Sequence, residues 1–359
     1  MKQPFFTITH VDPNLEKNIT GNFEKRLISM TITETRGITA DTIEIKLDDS
    51  DGKLGFPKRG IKLNVSLGWK NQKDYNYIIS NIFIIDSYEH TGTPDVLTIR
   101  GRSANLRDTL VENKDDSYDQ MTIGEIVSII AARNNLKYVI DEDIKSIILD
   151  HMDQTKESDA SFLTRIIEDV NGIVAIKKDK LLIFKRGQGI KPNGEKLESM
   201  TIMRKSGDNH KYIIDDRSGY KGVKTFWYHY KNPTPMPIKI RYKKQLDKSK
   251  EVLIGTTEKV KVIRYAFANE ASAKRAAESE LAKIKSGTSH FEINLAEARP
   301  DLITEMPIKV YKFKDDIDSE DWTIIECKHS LTGVTGQKGF STRITLEITP
   351  GEQIYQNIL

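Results

Sequence analysis

Cysteine is almost absent. Cys327 is the single one in 359 residues, which excludes an internal disulfide and any thiolate metal cluster. It lies in the run Trp322–Cys327, which reads as a strand, so a small buried filler is expected there rather than a reactive thiol. Long apolar runs are missing too. Nothing approaches the ~20 residues that a membrane-spanning helix needs. The first residues, MKQPFFTITHVDPN, lack the apolar core and small-residue cleavage site of a secretory signal. Assembly in a cytoplasm, without stable membrane insertion, is therefore expected. Neither sign of charge dominates, with 55 basic residues against 52 acidic and a net charge of +3. Readers of nucleic acid present a clustered basic face, so this balance makes no electrostatic case for one.

Patterns for chemistry are equally scarce. His10, His90, His151, His210, His229, His290 and His329 never fall at His-x-His or His-x-x-x-His spacing, so no pair is set to share a metal. His151 could pair with an acid, but no G-x-S-x-G elbow or cysteine–histidine pattern accompanies it. Two carboxylates about 5–10 Å apart can cleave a sugar bond. Glu157 and Asp159 are candidates only formally, because both open a predicted helix, where acids favour the dipole. Asp48, Asp49 and Asp51 before Gly52 resemble part of a calcium loop, but Lys58 stands where its glutamate belongs, which leaves a polar turn. Gly187-Gln188-Gly189 precedes no helix that could offer its N-terminus to phosphate, and Lys185–Asp208 reads as linker or loop. Phe226, Trp227, Tyr228 and Tyr230 crowd Val223–Tyr230, yet with only Lys221 and Lys224 beside them they suit a packed strand better than a base-stacking platform. No catalytic residue, cofactor or metal site emerges.

What is present is a chain long enough for two or three cores, 38% hydrophobic and 30% charged. Short alternating runs dominate the start: Leu27–Thr33, Thr42–Leu47, Ile61–Leu67, Ile78–Tyr88 and Val96–Gly101 read as strands of a small sandwich or barrel. The period then changes. Thr122 and Glu125 form a capping box ahead of the stripe Ile123, Ile126, Val127 and Ile130. Tyr138–Ile140 reads as a strand and Asp143–Ile148 as a polar connection. A polar run, Asp153–Glu157, leads to Ser158 as helix cap. The stripe Phe162, Leu163, Ile166, Ile167 and Val170 follows, closed by Asn171-Gly172, where glycine can take the left-handed cap. Ile173–Ile176 and Leu181–Phe184 make a hairpin about Lys177–Lys180. Later, Pro233–Pro237 enforces an extended connection, Val260–Ala266 reads as a strand, and Asn269 caps a helix with the stripe Ala273, Ala276, Ala277, Leu281 and Ile284, closed by Gly287. His290–Leu295, Ile308–Phe313, Trp322–Cys327 and Arg343–Ile348 return to strands.

A faint repeat links the two ends. Pro57, Ile61–Val65, Trp69, Ile85–Gly92 and Val96–Arg100 are echoed by Pro307, Ile308–Tyr311, Trp322, Ile325–His329 with Thr332-Gly333, and Arg343–Ile348. His90 and His329 occupy equivalent points, just past a strand, which suggests a structural role in a turn.

The string Q-x-x-E-S-D-A-S-F-L-T-R at Gln154–Arg165, followed by Asn171-Gly172 and a hairpin ending in Leu-Leu-Ile-Phe, resembles the late control protein D family, the baseplate hub of contractile-tailed phages, and its relative VgrG of type VI secretion. The resemblance extends to Asp41–Asp49, Pro57–Gly60, Pro94–Leu106, Thr122–Leu136, Tyr220–Val223 and the alanine-rich helix from Ala271. It covers most of the chain in order and is weakest after Gly287. Gln154, Glu157, Ser158, Asp159, Phe162, Leu163, Arg165 and Gly172 carry the motif, in a structural capacity.

The resemblance implies a mainly β fold: two tail-tube-like β-barrels in one chain with an α/β insertion. The expected division is 1–115 for the first barrel, 116–186 for the insertion, 187–255 for linker and strands completing the body, and 256–359 for the second barrel. It further implies a non-enzymatic hub of a phage tail or phage-tail-like bacteriocin. Three chains would make a pseudo-six-fold ring between the hexameric tail tube and a trimeric spike, with other baseplate proteins and the tape-measure protein as neighbours. Many VgrG chains continue into a spike β-helix; here the chain ends at Leu359 after Ile348-Thr349-Pro350-Gly351, so the spike is expected on a separate polypeptide. The rival expectations are a tail-associated peptidoglycan hydrolase, a type VI spike-like component and, more distantly, a nucleic-acid-binding regulator.

Overall fold

The structure, a computed structural model, describes residues 3–12, 15–70, 78–103, 108–177, 180–191, 193–205, 208–214, 219–228, 249–287, 289–333 and 339–349. His229, Tyr230, Pro233–Pro237 and the residues from 350 onward, on which several expectations fell, lie outside that set.

The chain opens with β1 (Gln3–Asp12), β2 (Leu15–Asn18), the helical turn α1 (Thr20–Glu24), β3 (Leu27–Thr35), β4 (Thr42–Asp48), β5 (Lys62–Lys70), β6 (Ile78–Thr91) and β7 (Val96–Ser103). Alternation decides which side of each strand is buried. In β4, Ile43, Ile45 and Leu47 are buried, while Thr42 is exposed and Glu44, Lys46 and Asp48 are only half-buried. The sheet order is β3-β4-β7-β6-β5-β1-β2, curled around one core that includes Phe6, Ile8, Met30, Ile32, Phe83 and Leu97.

The insertion comprises α2 (Asp108–Val111), β8 (Asn113–Thr122), α3 (Ile123–Arg133), β9 (Lys137–Ile140), α4 (Glu142–Lys145), β10 (Ile148–Ser158), α5 (Asp159–Glu168), β11 (Gly172–Lys177) and β12 (Lys180–Lys185). The capping box forms as expected, with Glu125 N–H donating to Thr122 Oγ1 at 3.2 Å and Thr122 N–H donating to Glu125 at 2.8 Å. α3 and α5 pack their stripes on β11 and β12 through Ile126, Ile130, Phe162, Ile166, Val174 and Leu181. Two expectations need correction. The polar segments Asp143–Ile148 and Asp153–Glu157 are not plain connections: they supply α4 and β10, and β10 pairs antiparallel with β8 as a two-stranded ribbon. Most of that ribbon faces solvent, so no apolar alternation marked it.

The remainder is β13 (Met200–Met203), β14 (Asn209–Ile214), β15 (Gly222–Tyr228), β16 (Ser249–Gly255), β17 (Val260–Phe267), α6 (Glu270–Gly287), β18 (Ser289–Leu295), β19 (Pro307–Tyr311), α7 (Asp315–Asp318), β20 (Trp322–Thr332) and β21 (Gly339–Ile348). Hydrogen bonding does not follow the expected boundary at 255/256. β13 and β14, from the predicted linker, join β18–β21 in the order β14-β18-β21-β20-β19-β13. β17 and α6, assigned to the second barrel, instead close on β15 and β16 as a small sheet around Val223, Ala277 and Leu281. Asn269 caps α6 as expected, accepting from Ser272 N–H at 2.9 Å. In β15, Trp227 is buried, as the packed-strand reading required.

The two ends do repeat, in a different register from the sequence likeness. β7 and β21 both pair with their neighbours β6 and β20 across a bulge, at Ile85/Ser87 and at Ile324/Glu326. Gly60 N–H donates to Ile85 O and Ile85 N–H to Ile61 O; Glu305 N–H donates to Ile324 O and Ile324 N–H to Met306 O in the same pattern. Gly60 and Glu305 both have left-handed backbones, at φ +85° and +69°. A glycine adopts this conformation freely, whereas a glutamate there is held by its surroundings. Ile61–Val65 therefore matches Met306–Val310, two residues earlier than the residue pattern suggested. Trp322 falls on Phe83, so the Trp69–Trp322 match is coincidental. His90 and His329 are equivalent, but within β6 and β20, because both strands run further than their apolar pattern.

Among the described residues, one antiparallel seam between β3 and β20 joins the halves into a 13-stranded sheet. Ile32 faces His329 and Met30 faces Leu331, all four buried. Each apolar side chain so buried contributes about 1.5–3 kcal/mol.

Candidate structural sites: the motif anchor and the seam

The motif residues converge on one buried carboxylate. Ser158 caps α5, its Oγ accepting from Ser161 N–H at 3.2 Å. Asp159, the next residue, has no exposed side-chain surface. It accepts from Lys114 Nζ (2.8 Å), Arg133 Nε (2.8 Å), Asn134 Nδ2 (2.7 Å) and Gln154 Nε2 (2.9 Å). Burial alone would raise its pKa, but those donors outweigh it and hold the carboxyl below the usual carboxylate range. Asp159 is thus more than a dipole partner: it ties β8, α3, β10 and α5 together. Gln154 is buried and also accepts from Arg133 at 3.0 Å. Glu157 pairs with Arg165 at 2.7 Å and accepts from Ser161 Oγ at 2.9 Å. The Arg165 guanidinium lies 5.2 Å from the Phe162 ring centroid, and Phe162 stacks on Tyr118 at 5.3 Å. Leu163 is fully buried.

Gly172 is needed for closeness. Asn171, at φ +56°, takes the left-handed position predicted for the glycine. A Cβ on Gly172 would meet Ile167 Cγ2 at 2.5 Å and Ile144 Cδ1 at 3.1 Å. The motif residues therefore form a structural joint whose acids are occupied by neighbouring cations. Lys114, Arg133 and Asn134 were missed by sequence reasoning, since their link to Asp159 spans 25 to 45 residues and leaves no local pattern.

A second charged cluster sits at the seam. Arg36, just after β3, donates to Glu305 and Glu347 from the other half, and its backbone N–H reaches Ile325 O at 3.0 Å. Arg186, after β12, reaches Glu347 at 3.2 Å. Lys177 of β11 pairs with Asp41 at 3.0 Å beside Glu34. Burial opposes its charge, yet Glu34 and Asp41 hold the Lys177 pKa up. The insertion is therefore pinned to both halves at their seam. Cys327 is fully buried there, and burial pushes its thiol well above the ordinary range, in keeping with a filler.

Two other histidines find acids. His151 contacts Asp119 at 2.5 Å and Asp153 at 3.1 Å on the exposed ribbon, and the hydrogen bond to Asp119 is the main reason its pKa rises. His90 meets Asp49 at 3.2 Å. In the aspartate turn, Asp48 accepts from Ser50 N–H at 2.9 Å and Asp51 pairs with Arg26 at 2.7 Å.

His329 is fully buried against Thr342 Oγ1 at 2.9 Å, and burial lowers its pKa from 6.5 to about 4. Its folded value lies below its unfolded one, so the unfolded chain binds the extra proton first. Stability is then complete above about pH 6.5 and declines as pH falls towards 4, by about 3 kcal/mol in all. Thermal midpoints measured across this range should fall more steeply for the native chain than for His329→Asn. Parallel slopes would remove His329 as the cause.

This doubled, seam-joined β fold defines a class: it is shared with tail proteins of phages and related secretion machines. The tail protein of Neisseria meningitidis MC58 aligns with a TM-score of 0.63 over 95% of this chain and 96% of that one, at 15% identity. An Escherichia coli component of the type VI secretion system aligns with a TM-score of 0.53 over 91% of this chain and 74% of that one, at 11% identity. Residues 42–335 match the family described as phage tail baseplate hub (GPD), and the chain belongs to that family. At 38% identity, it also matches the "Probable baseplate hub protein" of Escherichia phage P2, over 95% of this chain and 93% of the relative. This is a family of baseplate structural proteins, not of enzymes.

Proposed function

We propose that the chain is a symmetry adaptor: three copies form a pseudo-six-fold ring that joins the hexameric tail tube above to a trimeric spike below. The observation that carries this reading is the internal duplication. Two sheets of the same strand order, β3-β4-β7-β6-β5-β1 and β14-β18-β21-β20-β19-β13, stand side by side in one chain, differing in the last strand, where β1 runs antiparallel to β5 and β13 parallel to β19. A trimer of such chains offers six similar units to the tube while keeping three-fold symmetry for the spike. In this reading the chain has two barrel-like bodies, with the α/β insertion and the small sheet around α6 beside them. Other baseplate proteins and the tape-measure protein would be its neighbours, and assembly would take place in the host cytoplasm before the hub is built into the virion.

Sedimentation of the full chain, alone and with its spike protein, tests the reading. A trimer that binds the spike is expected; a monomer that ignores both spike and tube would sink it.

A further inference from the structure

We infer that the seam inside the chain is repeated between chains: the edge of β14 that has no strand beside it among the described residues pairs, in one copy, antiparallel with the Ser87–Thr91 stretch of β6 in a second copy. This rests on the trimeric reading and adds which edges meet and in what register.

The argument is one of equivalence. β3 and β14 hold the same place in their sheets, each beside the strand (β4 or β18) that pairs with β7 or β21. On its other side β3 is covered by β20. Among the described residues, β14 has no strand on that side. β20 and β6 are equivalent in turn. Each pairs with its hairpin partner along one edge, and on the other edge first with β19 or β5. Beyond that point β20 continues along β3, whereas Ser87–Thr91 of β6 has no neighbouring strand among the described residues. Among the described residues, the chain thus carries one filled joint and the two unfilled halves of another. Such a joint is head-to-tail, and repetition of it gives a ring if it closes. An open strand edge presents a row of unpaired backbone groups with which a strand of a second chain can pair.

The register follows from the filled seam. His329 faces Ile32, Ser330 faces Thr31 and Cys327 faces Glu34. Carried across, His90 faces Tyr212, Thr91 faces Lys211 and Tyr88 faces Ile214 of the neighbouring copy. The side chains suit this. Ile214 is 63% exposed and Tyr88 41%, and Tyr88 stacks on Phe56, itself 57% exposed, at 5.0 Å. Ile214 and Tyr88 lie on the two edges that would meet, with Phe56 beside Tyr88, and pairing would cover them. On the outer face Glu89 of one copy comes beside Lys211 of the other, adding opposite charges. The tip of the β6–β7 hairpin carries Gly92 and Asp95. At the inner seam, the β20–β21 tip inserts Leu331 and Phe340 into the first core. The outer joint is therefore the less apolar of the two, as befits a contact made on assembly.

Cysteine cross-linking tests it. In the filled seam the hydroxyls of Thr31 and Ser330 stand 3.2 Å apart, so their counterparts, Thr91 and Lys211, both exposed, should be bridgeable. Full-length Thr91→Cys and Lys211→Cys chains, mixed and mildly oxidised, should give a disulfide between the two variants and none within either. The double variant should give a ladder up to covalent trimer, whereas Thr91→Cys with Asn209→Cys should not. Self-linking of Thr91→Cys would indicate a two-fold contact and overturn the proposal. A trimer in sedimentation that yields no 91–211 link would overturn this joint while leaving the hub reading intact; a monomer without the link would overturn both.

Discussion

Asp159→Ala will melt the insertion well before the two curled sheets, at a cost of about 3–5 kcal/mol, the range for removing one member of a buried ion pair. The loss comes from what remains. Lys114 and Arg133 are only 25% and 24% exposed, and both would be left facing a cavity without their shared anion. Asn134 and Gln154 would lose an acceptor in the same step. Asp159→Asn keeps the shape and removes the charge, and should fall between alanine and the native residue. Because the insertion has its own core, global unfolding is the wrong readout. Hydrogen exchange resolved by element is the right one: protection should drop in β8, α3, β10 and α5 while β3–β7 keep theirs. If protection in the insertion is unchanged, or the alanine variant loses less than about 1 kcal/mol, the anchor is not Asp159.

Arg36→Met should loosen the seam by a similar amount, about 3–5 kcal/mol. Arg36, Glu305 and Glu347 are 13%, 5% and 10% exposed, so removal of the guanidinium leaves two buried carboxylates with Arg186 as the nearby cation. Burial already raises the Glu305 pKa against the pull of Arg36. Without Arg36 it should rise further above its unfolded value. A carboxyl with a raised folded pKa stabilises at low pH and loses that contribution as pH rises. The deficit in thermal midpoint should therefore be largest near neutral pH and shrink on acidification. Combining Arg36→Met with Glu305→Gln should recover part of it, since the substitutions share one contact. A deficit independent of pH, or strict additivity in the double variant, would exclude this account.

Much of the secondary structure was legible in the residues. The capping box at Thr122 and Glu125, the Ser158 cap, the α5 stripe, the β11–β12 hairpin and the alternating strands β3, β4, β5 and β7 are local patterns, and each formed. Strands that did not advertise themselves lacked a reason to. β8 and β10 make a ribbon with little buried surface, and β13 and β14 are short edge strands of four and six residues. The motif Gln154–Arg165 carries the pattern of a helix start, and Ser158 does cap α5, but nothing in the neighbouring residues signals the burial of Asp159. Its cations arrive from α3 and β8.

The family, the mainly β composition and the helix caps could be read from the residues alone, because they depend on residues close together or on an ordered string of motifs; the repeat showed only faintly there and in the wrong register. The register of the repeat, the allocation of β13, β14 and β17 to their sheets, the seam between β3 and β20, and the two buried charge clusters emerge only from the folded chain. The physical reason is the same in each case. Strand pairing and ion pairing are chosen by partners far along the chain: Thr31 meets Ser330, Arg36 meets Glu347, and no short window of residues contains both. Alternation says that a strand has an inside, and only the neighbouring strand says where it belongs.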